Sequence, residues 1–167
     1  MAYMLGRYPA CFSGSLALVA LMAGGSVPSH AQEAPPESAT LARERTLMAG
    51  SFASEKLWVW QKRLNLQAWD ISVVVARAAE LRPRTVGHIR WDRAKKTAAI
   101  QVLDPADYHL PFDAMLRDIE FTVVHELIHL EMVPILSDLL RTDANRMEEE
   151  HAVNQMAEAL LKLDRGQ

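Results

Sequence analysis

The chain has 167 residues, 18 basic and 21 acidic side chains for a formal charge of −3, and one cysteine. That length allows one domain. A mildly acidic chain with no basic stripe gives no electrostatic footing for nucleic acid, and a single cysteine excludes a fold stapled by disulfides.

Residues 1–31 read as a signal peptide: Arg7 near the start, an apolar stretch from Leu16 to Met22, then Ser29-His30-Ala31 before Gln32. The apolar stretch is too short, and too broken by Gly and Ser, for a membrane span of about 20 residues. The expectation is an exported chain, periplasmic or secreted, with no stable membrane anchor. N-terminal sequencing of exported protein should then begin at Gln32. The cut would remove Cys11, which precedes the main apolar stretch and is badly placed for lipid attachment, and Arg7, the one charged side chain of the segment. Residues 32–40, with Pro35 and Pro36, read as a linker, and residues 41–167 as the folded domain.

From about Glu37 to Leu66 the pattern is helical, with Gly50-Ser51 as a candidate break. Trp58, Trp60 and Trp69 read as core. Trp69 to Ala79, rich in Ile and Val, predicts a strand. Val86 to Trp91 and Thr97 to Leu103 predict two more, joined as an antiparallel hairpin by the polar turn Asp92-Arg93-Ala94-Lys95-Lys96. Asp104 to Phe112, with Pro105 and Pro111, reads as a loop. A helix is expected from near Asp113 or Asp118, with Pro134 ending or bending it. A short helix over Ile135 to Arg141 and a longer one over Arg146 to Leu161 complete the chain. The fold class expected is α+β: one small domain with an N-terminal helix, a three-stranded antiparallel or mixed sheet, and two functional helices.

The first of those two helices carries His125-Glu126-Leu127-Ile128-His129, an HExxH motif. Residues four apart share a helix face, so His125 and His129 can both turn a ring nitrogen toward one zinc ion. Glu126 then stands beside that ion, free to take a proton from a water. The flanks are apolar nearly all round, which predicts a buried helix. Burying two imidazoles and a carboxylate is costly unless they are paired or bind metal.

Catalytic zinc takes a third protein ligand. On the last helix, at about 100° per residue, Glu150, Asn154, Ala157 and Leu161 share one face. Glu150 is therefore the best candidate for the third ligand, with Glu149, to one side, as its rival. Glu148 points away, and Glu120 and Glu131 project to the far side of their own helix. Asn154 is expected to hold the back of a ligating imidazole. His88 reads as strand surface, and His151 points away from the metal. Tyr108 and His109, in the loop before the HExxH helix, are candidate oxyanion donors.

HExxH, a gap of some twenty residues, then Glu150-x-x-x-Asn154 resembles the gluzincin branch of zinc metallopeptidases. The run Glu150-x-x-Val153-Asn154-x-Met156-Ala157-x-x-Leu160-Leu161 is similar to the glutamate helix of its minimal members (minigluzincins), including small peptidases associated with cleaving phage-type repressors. The matching motifs lie within roughly Asp113 to Leu163. The resemblance implies a zincin-like domain with His125, His129 and Glu150 as zinc ligands, Glu126 as general base and Asn154 behind a ligand. It also implies a peptide or protein substrate whose extended backbone pairs with an edge strand near the metal, for which Thr97 to Leu103 is the expected strand. Larger members carry Asp where Asn154 stands, and many have a later Tyr or His at the oxyanion that has no counterpart before Gln167.

The activity expected is therefore hydrolysis of peptide bonds by a zinc-activated water. One alternative is a non-catalytic zinc-binding interaction module that keeps the zincin fold. Another is a periplasmic scaffold with an accidental motif and no metal.

Overall fold

The computed structural model describes residues 36–83, 85–136 and 142–167. The expected signal peptide and its cut after Ala31 lie outside them. Its first element, helix α1, spans Pro36–Arg63, so the helix takes in the second half of the segment read as a linker. Proline suits the first turn of a helix because its fixed φ is already helical and its missing N–H has no partner there. Gly50-Ser51 is no break. The helix passes straight through, and a Cβ added at Gly50 would stand 3.5 Å from Val75 Cγ2, an ordinary packing distance. Asn65, in the left-handed region at φ 57°, turns the chain out of the helix.

Strands β1 (Asp70–Ala76), β2 (Gly87–Asp92) and β3 (Thr97–Leu103) form one mixed sheet in the order β1-β3-β2. β2 and β3 pair antiparallel as the hairpin the turn predicted, while β1 pairs with β3 in parallel. At the turn, Lys95 N–H donates to Asp92 Oδ1 at 3.1 Å, and Lys96 takes φ 50°. The parallel pairing corrects the expected edge. Thr97 to Leu103 is the central strand, bonded on both sides, and the edges belong to β1 and β2. A short 3-10 turn at Pro105–Asp107 leads to helix α2, Phe112–Leu136. Ile135 and Leu136 belong to α2, with Pro134 inside it. The rest of the short helix expected over Ile135 to Arg141 lies outside the described residues. Helix α3 spans Asp143–Asp164, and Thr142 caps it by accepting from Asn145 N–H at 3.1 Å.

The core lies between the sheet and the helices, with α2 at its centre, touching α1, α3, β2 and β3. Every residue from Thr122 to Leu130 is buried. Ile100 and Val102 of β3 meet Val123, Val124 and Leu127 of α2, and α3 adds Val153, Ala157 and Leu161 at four-residue spacing. Fully burying one such Ile or Leu contributes about 1.5–3 kcal/mol. Of the tryptophans, Trp60 is buried and Trp69 packs partly against the core. Trp58 is 69% exposed and stands outside it, a correction to the aromatic cluster. Among the described residues, no helix is long and apolar enough to cross a membrane.

Glu120, set aside above as a ligand, joins three parts of the fold. Its carboxylate meets Lys56 Nζ at 3.0 Å, accepts from Trp60 Nε1 at 3.3 Å, and accepts from Arg165 at 2.9 Å. Burial opposes its charge, but Lys56, Arg165 and Trp60 outweigh burial and hold its pKa below the usual value. A depressed folded pKa stabilises above the unfolded value, and that gain disappears as pH falls through the folded one. Glu120→Gln should therefore cost about 2 kcal/mol at neutral pH, between an exposed and a buried ion pair. Urea unfolding should show the gap from wild type closing below about pH 4, where the free carboxyl protonates. A gap that does not change with pH would contradict this role.

Candidate metal centre

The local sequence explains how the site is placed. HExxH lies on the most buried stretch of α2, so its polar groups have to satisfy one another inside the core. The Nε2 atoms of His125 and His129 are 3.1 Å apart. Glu150 brings its two carboxylate oxygens to 3.3 Å from His125 Nε2 and 3.5 Å from His129 Nε2. Two nitrogens each about 2.0–2.1 Å from one tetrahedral zinc ion lie about 3.3 Å apart. Among the described residues, these three side chains form a group that could hold a metal ion.

The chemistry of the donors fits a cation. Glu126 Oε2 and both Glu150 oxygens are buried without a hydrogen-bond partner, a costly state for carboxylates unless a positive charge stands among them. On its far side, His129 places Nδ1 3.0 Å from Glu149 Oε1. A carboxylate only accepts, so Nδ1 carries the proton, and a ring that gives up its other proton on binding a metal would turn the Nε2 lone pair toward His125 and Glu150. Glu149, the expected rival for the third ligand, thus orients one imidazole from behind, and Glu150 takes the inner position. The expectation for Asn154 is corrected accordingly: its Oδ1 is buried with no hydrogen-bond partner, and the bond behind His129 belongs to Glu149.

The charges shift the titrations as their packing requires. Burial pushes Glu126 up, against the pull of the two imidazoles. Burial also opposes ionisation of Glu150, yet His125 and His129 hold it down at about 2. His129 is raised because the carboxylates of Glu150, Glu126 and Glu149 outweigh its burial.

Glu126 and His129 face a cleft of about 430 Å³ that is also lined by Arg82, His88, Ile89, Arg90, Trp91 and Arg146. The cleft runs along β2, the edge strand on this side of the sheet. His88, read above as strand surface, lines it; burial lowers its pKa, and the charges of Arg82 and Arg90 add to that shift. Alternation along a strand gives no sign of which face meets a site, so the sequence carried no signal for this residue. Tyr108 lies elsewhere. Its hydroxyl donates to Asp118 Oδ2 at 2.9 Å while its ring packs in the core, and neither it nor His109 lines the cleft. His151 is exposed and bonded to Gln155, away from the metal group as expected.

Gly87 sets the approach of β2 to α2. A Cβ there would stand 2.2 Å from Thr122 Cγ2, 3.2 Å from Gln101 O and 3.4 Å from Glu126 Oε1. The first distance is a collision, so β2 or α2 must move, or Thr122 must rotate and lose its bond to Asp118 O, to admit any side chain. Gly87→Ala is expected to destabilise by about 1–3 kcal/mol, as overpacking does. It should also displace Glu126, so activity in folded protein should fall further than stability predicts. Denaturant titration alongside a rate measurement checks this, and an unchanged midpoint would contradict the close approach.

Comparison with family profiles, with curated proteins and with solved structures gives no match to this chain. Its function is therefore argued from the site alone.

Proposed function

We propose that the chain is a zinc metallopeptidase of the gluzincin type, acting on peptides or proteins outside the cytoplasm. The observation that carries this reading is the convergence of His125 Nε2, His129 Nε2 and the Glu150 carboxylate, with Glu126 beside them on an open cleft. When bound there, zinc supplies a Lewis acid that polarises a carbonyl oxygen and brings the pKa of a water near 7. His125, His129 and Glu150 would hold it, with Glu149 fixing the His129 ring. Glu126 accepts a proton from the attacking water and delivers it to the amine as the C–N bond breaks. Its burial favours the task, since a carboxylate with a raised pKa is the stronger base. The free edge of β2, in place of β3, is the strand available to an extended substrate backbone.

The test is hydrolysis of a mixed peptide library by the purified protein, before chelation, after it, and after zinc is restored. Activity that disappears and returns with zinc is the expected result. Zinc binding with no cleavage would instead support the non-catalytic interaction module. Against that module stands the buried, unpaired Glu126 oxygen, since a zinc held only for structure needs no base beside it.

A further inference from the structure

The cleft beside Glu126 has a charge opposite to that of the chain. The protein carries a net −3, yet three arginines from three separate elements meet at this one opening: Arg82 before β2, Arg90 on the edge strand and Arg146 in the first turns of α3. All three are exposed, and none of their guanidinium groups forms an ion pair or hydrogen bond with a described residue. Among the described residues, Glu126 is the only acidic one lining the cleft. Arg146 stands one helical turn before Glu150, on the approach to the metal group. Elsewhere in the fold several arginines are matched to carboxylates, as Arg165 is to Glu120 and Arg77 to Asp107 at 2.7 Å. Those at the cleft are left for something else to match, and a guanidinium is shaped for paired contact with a carboxylate.

We infer that the cleft selects acidic peptides, with Asp or Glu side chains flanking the bond presented to Glu126 and contacting Arg82, Arg90 and Arg146. This specificity rests on the peptidase reading for its catalytic part, while the binding preference stands without it. An exposed charge contact is worth roughly 1.5- to 5-fold in affinity, so three arginines together should give a preference on the order of tenfold. Screening should shrink that preference as ionic strength rises.

The test uses three peptides of equal length whose flanks are acidic, uncharged or lysine-rich. Their kcat/KM values are measured on the zinc-loaded protein at about 0.1 M and about 1 M salt. Their binding is measured in parallel on zinc-loaded Glu126→Gln by fluorescence anisotropy. The expected order is acidic, then uncharged, then basic in both measurements, compressed at high salt and reversed in the Arg90→Glu/Arg146→Glu double variant. Because the readout is a ratio within each protein, a general loss of activity in the variant does not obscure it. Equal kcat/KM for all three peptides, or an order that charge reversal leaves in place, overturns the inference while the peptidase reading survives. Selective, salt-sensitive binding of the acidic peptide with no cleavage of any peptide supports the inference and removes the peptidase reading.

Discussion

Glu126→Gln is expected to leave the metal bound while peptide hydrolysis falls at least about 10²- to 10⁴-fold, the range of general-base contributions. Gln keeps the size of Glu and its ability to hydrogen-bond but cannot take a proton. The loss belongs at the upper end of that range because the proposed mechanism has Glu126 handle both the water's proton and the leaving amine's. Glu126 is 2% exposed, so bulk water cannot easily supply a base in its place. Zinc content and steady-state rates on the same preparation separate the outcomes. Unchanged turnover with full zinc would mean that hydrolysis, if present, does not use this carboxylate.

The second large effect distinguishes two neighbouring glutamates. Glu150 reaches both inner imidazole nitrogens, and Glu149 reaches the outer nitrogen of His129. Glu150→Gln removes an anionic ligand and should weaken zinc by more than Glu149→Gln does. The Glu149 change should cost about 10- to 100-fold, as loss of an orienting partner behind a ligand does. Competition against a chelator gives both affinities. Should Glu149→Gln prove the more damaging, the two roles would have to be exchanged.

Much of this site was legible from the chain because its parts are local. The four-residue spacing of His125 and His129 places them on one face of any helix, and strong helix formers around Glu150 supply the second one. The apolar flanks of HExxH also foretold its burial, and the bounds of β3 followed from its composition and turn. What was not legible depended on how separate elements meet. Glu149 and Glu150 differ by about 100° on α3, and only the packing of α3 against α2 decides which of them faces the two inner nitrogens. The expectation of β3 as the edge strand failed for a related reason. The hairpin of β2 and β3 is a local pairing, whereas the parallel pairing of β1 with β3 joins segments that β2 separates in sequence. That pairing moves β3 to the centre and gives the edge at the cleft to β2. His88 and the arginines of the cleft were passed over because a polar residue on a strand or loop looks the same in sequence whether it faces solvent or a site. The role of Glu120 was not legible either, because its links to Lys56 and Arg165 cross from one helix to another and to the C-terminal end.

The proposed activity requires one metal ion at the meeting point of His125, His129 and Glu150. The most direct test is elemental analysis of the purified protein after zinc reconstitution and removal of excess metal, run beside a His125→Ala/His129→Ala variant. About one zinc per chain in the wild type and none in the variant is the predicted result. Less than about a tenth of an equivalent in the wild type, or equal zinc in both proteins, would contradict it.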